Sequence, residues 1–275
     1  MDETKAQPST QNPGAQKPIS HYINEVSIEQ PFVWLGKGWA DFIRAPRLSI
    51  GYGLLFTMIG FALVVGLHLL EMDYLIYPLT AGFILLGPIL AIGMYNVSRR
   101  MERGRNPRPL KCFMAWKHNR YHIMTAGLVF MIFAMIWSRM AVLSFVLSFP
   151  YIGLNLETIF NQVFFTTDGL IFLAIETIIG AILAAVAFVF GVVSLPMMLD
   201  RKVDIFTASL VSFLVVMKNK GAMLTWAGLI VIFVGAGLAT AYIGLAITLP
   251  LIGYASWHAY RACVDPRKWP ETPLD

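Results

Sequence analysis

Long uncharged runs alternate with short charged ones along the chain, and that alternation sets the predicted layout. A hydrocarbon core about 30 Å thick needs roughly 20 apolar residues in a helix. The first run of that length is Leu48 to Leu70 and the second is Tyr74 to Val97. Only Glu71-Met72-Asp73 separates them, which predicts a tight hairpin. A third runs from about His122 to Phe149, and a fourth from Gly169 to Leu195, ending at Pro196. The stretch from Ala222 to Ala262 is uncharged until Arg261 and too long for one helix. It fits two helices with a turn near Ala239 to Ile243, giving six spans. Pro250 and Gly235-Ala236-Gly237 also permit one long tilted helix with a re-entrant segment. Lys218 and Lys220 before the stretch and Arg261 after it require a return to the same side either way.

Three shorter stretches are amphipathic. Phe32, Leu35, Trp39, Phe42 and Ile43 recur at helical spacing. Leu110, Phe113, Met114 and Trp116 do so in the second stretch, and Ile205, Phe206, Leu210, Phe213, Leu214 and Met217 in the third. Each is too short to span, which predicts three helices lying in the inner interface, with Trp34, Trp39, Phe113, Trp116 and Phe213 as anchors. The three also align with one another. An aromatic residue (Trp39, Phe113, Phe213) is followed five positions later by Arg44, His118 or Lys218, then a short break, then a span. This predicts three repeated units of interfacial helix plus transmembrane hairpin. The expected organisation is a disordered tail over 1–27, a membrane domain over 28–264 (units 28–105, 106–202 and 203–264) and a second tail over 265–275. The fold class is all-α, a polytopic helical membrane protein.

Composition agrees. The chain has 275 residues, 57% hydrophobic and only 13% charged, about half the charged share of a soluble domain. A soluble monomer could not cover its surface with that. Placement of charge then adds orientation. With the N-terminus inside, residues 1–47, 98–121, 196–221 and 261–275 hold every Lys and Arg except Arg139. The outer loops hold Glu71, Asp73, Glu157 and Asp168 and no base. The positive-inside rule therefore predicts an even number of spans with both termini cytoplasmic. Residues 1–20 have no apolar run, so no cleavable leader is expected in them. The basic segment Arg99 to Arg108 is expected to set topology and to touch anionic lipid rather than nucleic acid. Cys112 and Cys263 fall on the reducing side and are expected as free, small apolar residues.

The segment Pro31-Phe-Val-Trp-Leu-Gly-Lys-Gly-Trp-Ala-Asp-Phe42, the Pro46 that opens span one, and the six-span layout resemble an uncharacterised family of bacterial integral membrane proteins, a domain of unknown function. The resemblance would cover about Ile28 to Val264. Some members carry a cytochrome c oxidase label. The family brings no catalytic residues to carry over.

Candidate chemistry is sparse. Arg139 in span three and Glu176 in span four are ionisable residues within apolar runs, and such residues usually face the bundle interior with a partner. At 1.5 Å per residue they lie about 15 and 11 Å below the outer boundary, so a buried ion pair is expected. The pair reads either as a lock between spans three and four or as a site for an ion, a proton or an anionic substrate. His118 and His122 share a helix face at i, i+4 spacing, yet no third ligand is evident, so no metal is expected. His21, His68 and His258 are scattered in depth, which does not fit a haem-copper site, and no cofactor is expected. Thr57, Thr80, Ser138, Thr177 and Thr248 are expected mostly to bond their own helix backbones. Gly180, Ala184, Ala187 and Gly191, and in part Gly228, Gly235 and Ala239, read as small-residue packing faces. Gly82, Gly87, Gly93 and Pro88 suggest a kinked span two. Three functions follow: a non-catalytic accessory or assembly subunit of a membrane complex, possibly a respiratory one; a transporter of a small solute or ion using Arg139 and Glu176; and a redox subunit with His-bound haem. Expected partners are the bilayer, anionic lipid at the basic loops and a membrane-protein partner.

Overall fold

The computed structural model describes residues 18–151 and 156–273. The expected tail disorder over residues 1–17 lies outside the described residues. In chain order the helices are α1 (Gln30–Arg44), α2 (Pro46–Leu69), α3 (Ile76–Leu85), α4 (Gly87–Leu90), α5 (Ile92–Glu102), α6 (Pro109–Phe113), α7 (Arg120–Ser148), α8 (Leu156–Phe165), α9 (Thr167–Gly191), α10 (Ser194–Asp200), α11 (Ile205–Lys218), α12 (Lys220–Ala239) and α13 (Leu245–Cys263). The basic residues gather at one end of this bundle, called here the basic end.

Local chemistry starts and stops these helices. Thr166 accepts from the Gly169 amide and opens α9, and Asp204 accepts from the Thr207 amide and opens α11. Both satisfy donors that a helix N-terminus leaves without intrahelical partners. The α2–α3 connection closes through His68 Nδ1 and Asp73 Oδ1 at 2.9 Å. The chain turns back between α12 and α13 with Ala241 and Tyr242 at φ 50° and 68°. There the Tyr242 carbonyl accepts from Thr57 at 3.1 Å, and the Tyr242 hydroxyl meets Thr80 Oγ1 at 2.6 Å. Thr57 and Thr80 thus tie three helices together instead of bonding their own backbones. Ser138 does bond its own helix, at Met135.

Among the described residues, four helical stretches are long and apolar enough to cross a membrane: Pro46–Leu69, Ala115–Ser148, Thr167–Asp200 and Lys220–Ala239. The other two expected spans differ in kind. The second is broken at Leu86 and Ala91, between α3, α4 and α5, around Gly87 and Pro88. The sixth, α13, carries Tyr254, Ser256, Trp257, His258, Tyr260 and Arg261 in its basic-end half and is buried along most of its length. It is the axis on which α1, α2, α5 and α12 pack. Close approach depends on glycine. A Cβ on Gly38 would lie 2.8 Å from the Ala255 nitrogen, and one on Gly53 would lie 2.0 Å from the Ala246 oxygen. On α9, Gly180 and Gly191 receive the rings of Trp137 and Phe130, whereas Gly228 and Gly235 on α12 meet nothing within 4 Å.

The breaks before α2, α7 and α12 fall on Ala45, Asn119 and Asn219, spaced as Trp39, Phe113 and Phe213 are. Their backbones nearly coincide: φ/ψ −129°/55°, −136°/57° and −119°/43°. This is not helical geometry, so each break redirects the chain within one residue. The segments preceding the breaks depart from simple interfacial helices. α1 and α11 form, but the second segment splits into α6 and a 3-10 turn, Ala115–Asn119, with Cys112 and Ala115 both fully buried. Trp39 (45% exposed), Phe113 (57%) and Phe213 (36%) face outward, and Trp116 is half-buried. Trp34 does not. It is buried edge-to-face against Trp226, ring centres 5.8 Å apart, and joins α1 to α12. Two further expectations change. Residues 18–27 are ordered: Ile23 is buried and bridges to Val264, and the Asn219 amide donates to Asn24. The connection over 156–165, expected as a loop, is a helix, α8.

Gly53→Leu is expected to destabilise the protein by about 1–3 kcal/mol or more, since it overpacks a backbone contact. Gly228→Ala, in open space, is expected to be neutral or to gain up to about 1 kcal/mol from helix propensity. Thermal unfolding in a mild detergent checks both.

Candidate functional site

The intramembrane pair is the first place to look, and the structure does not bring it together. Glu176 is fully buried on α9, in line with Gly169 and Phe172. Arg139 is exposed, and among the described residues no ion pair joins the two. The reason is helical phase. The buried stripe of α7 runs through Ile123, Ala126, Phe130, Trp137, Ala141 and Phe145. Arg139 is two residues from both Trp137 and Ala141, about 200° around the helix from each. Matching depth therefore leaves the two charges on opposite sides of α7. Neither carboxyl oxygen of Glu176 has a hydrogen-bond partner in the structure. Its neighbourhood is aromatic. Tyr77 lies close enough to interact with it electrostatically, and Tyr77 in turn packs on Trp137, whose indole N–H donates to the Pro78 carbonyl at 3.0 Å.

The densest polar constellation lies at the basic end, around Asp200 at the end of α10. Asp200 is 1% exposed. Its Oδ1 accepts from Arg99 Nε at 3.2 Å and Arg103 Nη2 at 2.9 Å. Its Oδ2 accepts from Arg201 Nε at 3.0 Å and the Tyr260 hydroxyl at 3.0 Å, with Arg261 Nη1 at 3.8 Å. A carboxylate has about four acceptor positions, and these donors fill them. Asp200 is thus a saturated structural anion with no lone pair left for a substrate.

The C-terminal segment closes over this cluster. The Thr272 amide donates to the Asp200 carbonyl at 2.9 Å, and the Arg99 guanidinium donates to the Thr272 carbonyl. Arg201 Nη1 donates to the Trp269 carbonyl at 3.2 Å, and Glu271 takes both Arg103 and Arg201. Residues 265–273 are therefore a cap packed on the bundle, not a free tail. Within the basic 99–108 run, Arg99 and Arg100 are buried and Arg103 is held in ion pairs, whereas Arg105 and Arg108 are exposed.

A second polar layer adjoins it. Asp41 on α1, 5% exposed, accepts from Ser98 Oγ at 2.7 Å and meets His258 Nε2 at 2.8 Å. Glu102 takes the Trp257 indole N–H at 2.8 Å and Arg261 Nε at 3.0 Å. Acids from α1, α5 and α10 thereby bind donors from α5 and α13. The signal that could have found this network was present: Asp41, Glu102, Asp200 and Glu271 lie among the bases of one side. Counting only Lys and Arg conceals them.

The histidines do not converge. His68 is bonded to Asp73 at the α2–α3 turn and His258 to Asp41 at the basic end. His118 Nδ1 lies 2.8 Å from the Ala115 carbonyl. Among the described residues no group of three or more His, Cys, Asp or Glu is placed to hold a metal ion. Cys112 and Cys263 are free and fully buried. Burial raises the Cys112 thiol to about 11.

Residues 76–200 match the family described as predicted integral membrane protein (DUF2189), whose function is unknown. The matched region runs from α3 to Asp200. It leaves out the Pro31–Phe42 segment and Pro46, on which the sequence resemblance was argued. No curated protein and no solved structure matches the chain.

Asp200→Asn is expected to cost about 3–5 kcal/mol, since it leaves buried guanidinium charge uncompensated. Thermal unfolding in detergent measures it, and a loss under 1 kcal/mol would contradict the role given to Asp200. Maleimide is expected to label neither cysteine in native membranes near neutral pH, and both after denaturation, because neither is exposed or ionised.

Proposed function

We propose that this is a non-catalytic, six-span bacterial inner-membrane protein with cytoplasmic termini, working by interaction as an accessory or assembly subunit of a membrane complex. The spans are the four long apolar helices together with broken α3–α5 and buried α13. In this reading the chain is three repeated units, each a short segment, a one-residue break and a hairpin. The matching backbones at Ala45, Asn119 and Asn219 support the repeat, and the sorted bases support the orientation. Polar groups at the cytoplasmic end are consumed in internal pairs, which favours a structural and binding role over chemistry.

One observation carries the interaction reading. Arg139 stands on the exposed face of α7, flanked by Met135, Ile136, Met140 and Leu143, all exposed. A cation at that depth facing lipid is costly. On an outward-running helix its side chain leans back toward the cytoplasmic end, which works against escape to the outer interface. An acidic or polar group on a neighbouring membrane protein would relieve that cost. The second reading, transport of a cation or proton, rests on Glu176, which is buried without a hydrogen-bond partner. Arg139 cannot serve it from the far side of α7.

Photo-crosslinkers at Met135 and Leu143, in native membranes, are expected to give one discrete protein adduct. The same probe at Leu54 on α2 is expected to give none, and Arg139→Gln is expected to abolish the adduct. Adducts with lipid only would overturn the interaction reading. For the second reading, Glu176-dependent uptake of cation or protons into vesicles is the required result.

A further inference from the structure

The basic end opens sideways into a groove whose two ends differ in chemistry. Near the Ala45 break, about 850 Å³ is enclosed between Arg44, Arg47 and Gly51 on one side and Asn106, Leu110 and Phe113 on the other. A second space of about 1190 Å³ continues from it, sharing Tyr52, Leu55 and Phe113 as walls. It runs between α2 and α7, past Ile59 and Leu128, over a floor from α4 and α5. Trp116 and Arg120 line its side toward the basic end. Leu55, Ile59, Met124, Leu128 and Met131 are exposed, so the groove is open to the bilayer.

Three observations point to an occupant. Arg44 and Arg47 make no hydrogen bond or ion pair among the described residues, in contrast to the four arginines around Asp200. The Tyr52 hydroxyl is buried without a partner in the wall common to both spaces. The length also fits: from Arg47 to Ile59 along α2 is about 18 Å at 1.5 Å per residue, a little more than half of an approximately 30 Å hydrocarbon core.

We propose that this groove binds an anionic glycerophospholipid from the cytoplasmic leaflet. Its phosphate lies against Arg44 and Arg47, and an acyl chain lies between α2 and α7. Guanidinium groups suit phosphate because they donate two parallel hydrogen bonds. The apolar walls suit a chain, and the opening toward lipid allows lateral exchange. The bases of this site are Arg44 and Arg47, not those of the 99–108 segment, whose first three arginines are buried or paired within the protein.

The test uses the full chain in nanodiscs or mild detergent, with native mass spectrometry reading retained lipid. Phosphatidylglycerol is to be compared with phosphatidylcholine of the same chains. The wild type is expected to retain the anionic lipid about tenfold or more over the zwitterionic one. Arg44→Gln with Arg47→Gln is expected to bring the two near parity, while Lys220→Gln, an exposed base elsewhere, leaves the preference intact. Leu55→Trp, which fills the tail groove, is expected to lower retention of both lipids. All variants replace exposed side chains, and helical circular dichroism with a monodisperse elution profile verifies their fold. An unchanged preference in the double variant would overturn the proposal, as would no preference in the wild type. A protein segment crosslinked into the groove in place of lipid would overturn it too.

Discussion

One buried carboxylate organises the basic end. Arginines on α5 and α13 point inward there because the sequence places bases just beyond the apolar runs, and the bundle then folds over them. Buried cations with no counter-charge would be intolerable. Asp200 supplies that charge at the point where α10 ends, and it gathers donors from α5, α13 and its own neighbour Arg201. The C-terminal cap is a consequence, since Thr272, Trp269 and Glu271 complete the donors and acceptors that Asp200 leaves open. The same layer extends through Glu102 to Asp41 and so holds α1 against α13.

Away from that layer the bundle is held by close packing. Gly38 and Gly53 let α1 and α2 approach α13 backbone to backbone, and Trp34 against Trp226 fixes α1 to α12. The result is asymmetric. The unit around α13 is enclosed, whereas α7 and α9 leave much apolar surface outward, and the groove beside α2 opens between α2 and α7. Arg139 on the outside and Glu176 on the inside, a charge on each face with no ion-pair partner among the described residues, both belong to the α7–α9 hairpin.

Much of this was legible from the chain. The long apolar runs located the helices to within a few residues, and Gly87 with Pro88 announced the break in the second. The spacing of Trp39, Phe113 and Phe213 anticipated three breaks with a common backbone. What failed has identifiable causes. Depth alone paired Arg139 with Glu176, although the stripe containing Trp137 and Ala141 already put Arg139 on the other face. Trp34 reads from its spacing as an interfacial anchor and is core, because periodicity does not say whether an apolar face meets lipid or protein. The Asp200 cluster was missed because a topology rule that counts only bases treats the acids beside them as silent. The packed course of residues 265–273 depends on contacts with α10 that local sequence does not encode.

A double-mutant cycle between Arg99 and Asp200, read by thermal unfolding in detergent, is the most direct test of the constraint on which this structure rests. If Asp200 exists to neutralise buried arginine, Arg99→Met is expected to restore much of the stability lost in Asp200→Asn, so the two changes are strongly non-additive. Simple additivity of the two losses would contradict it.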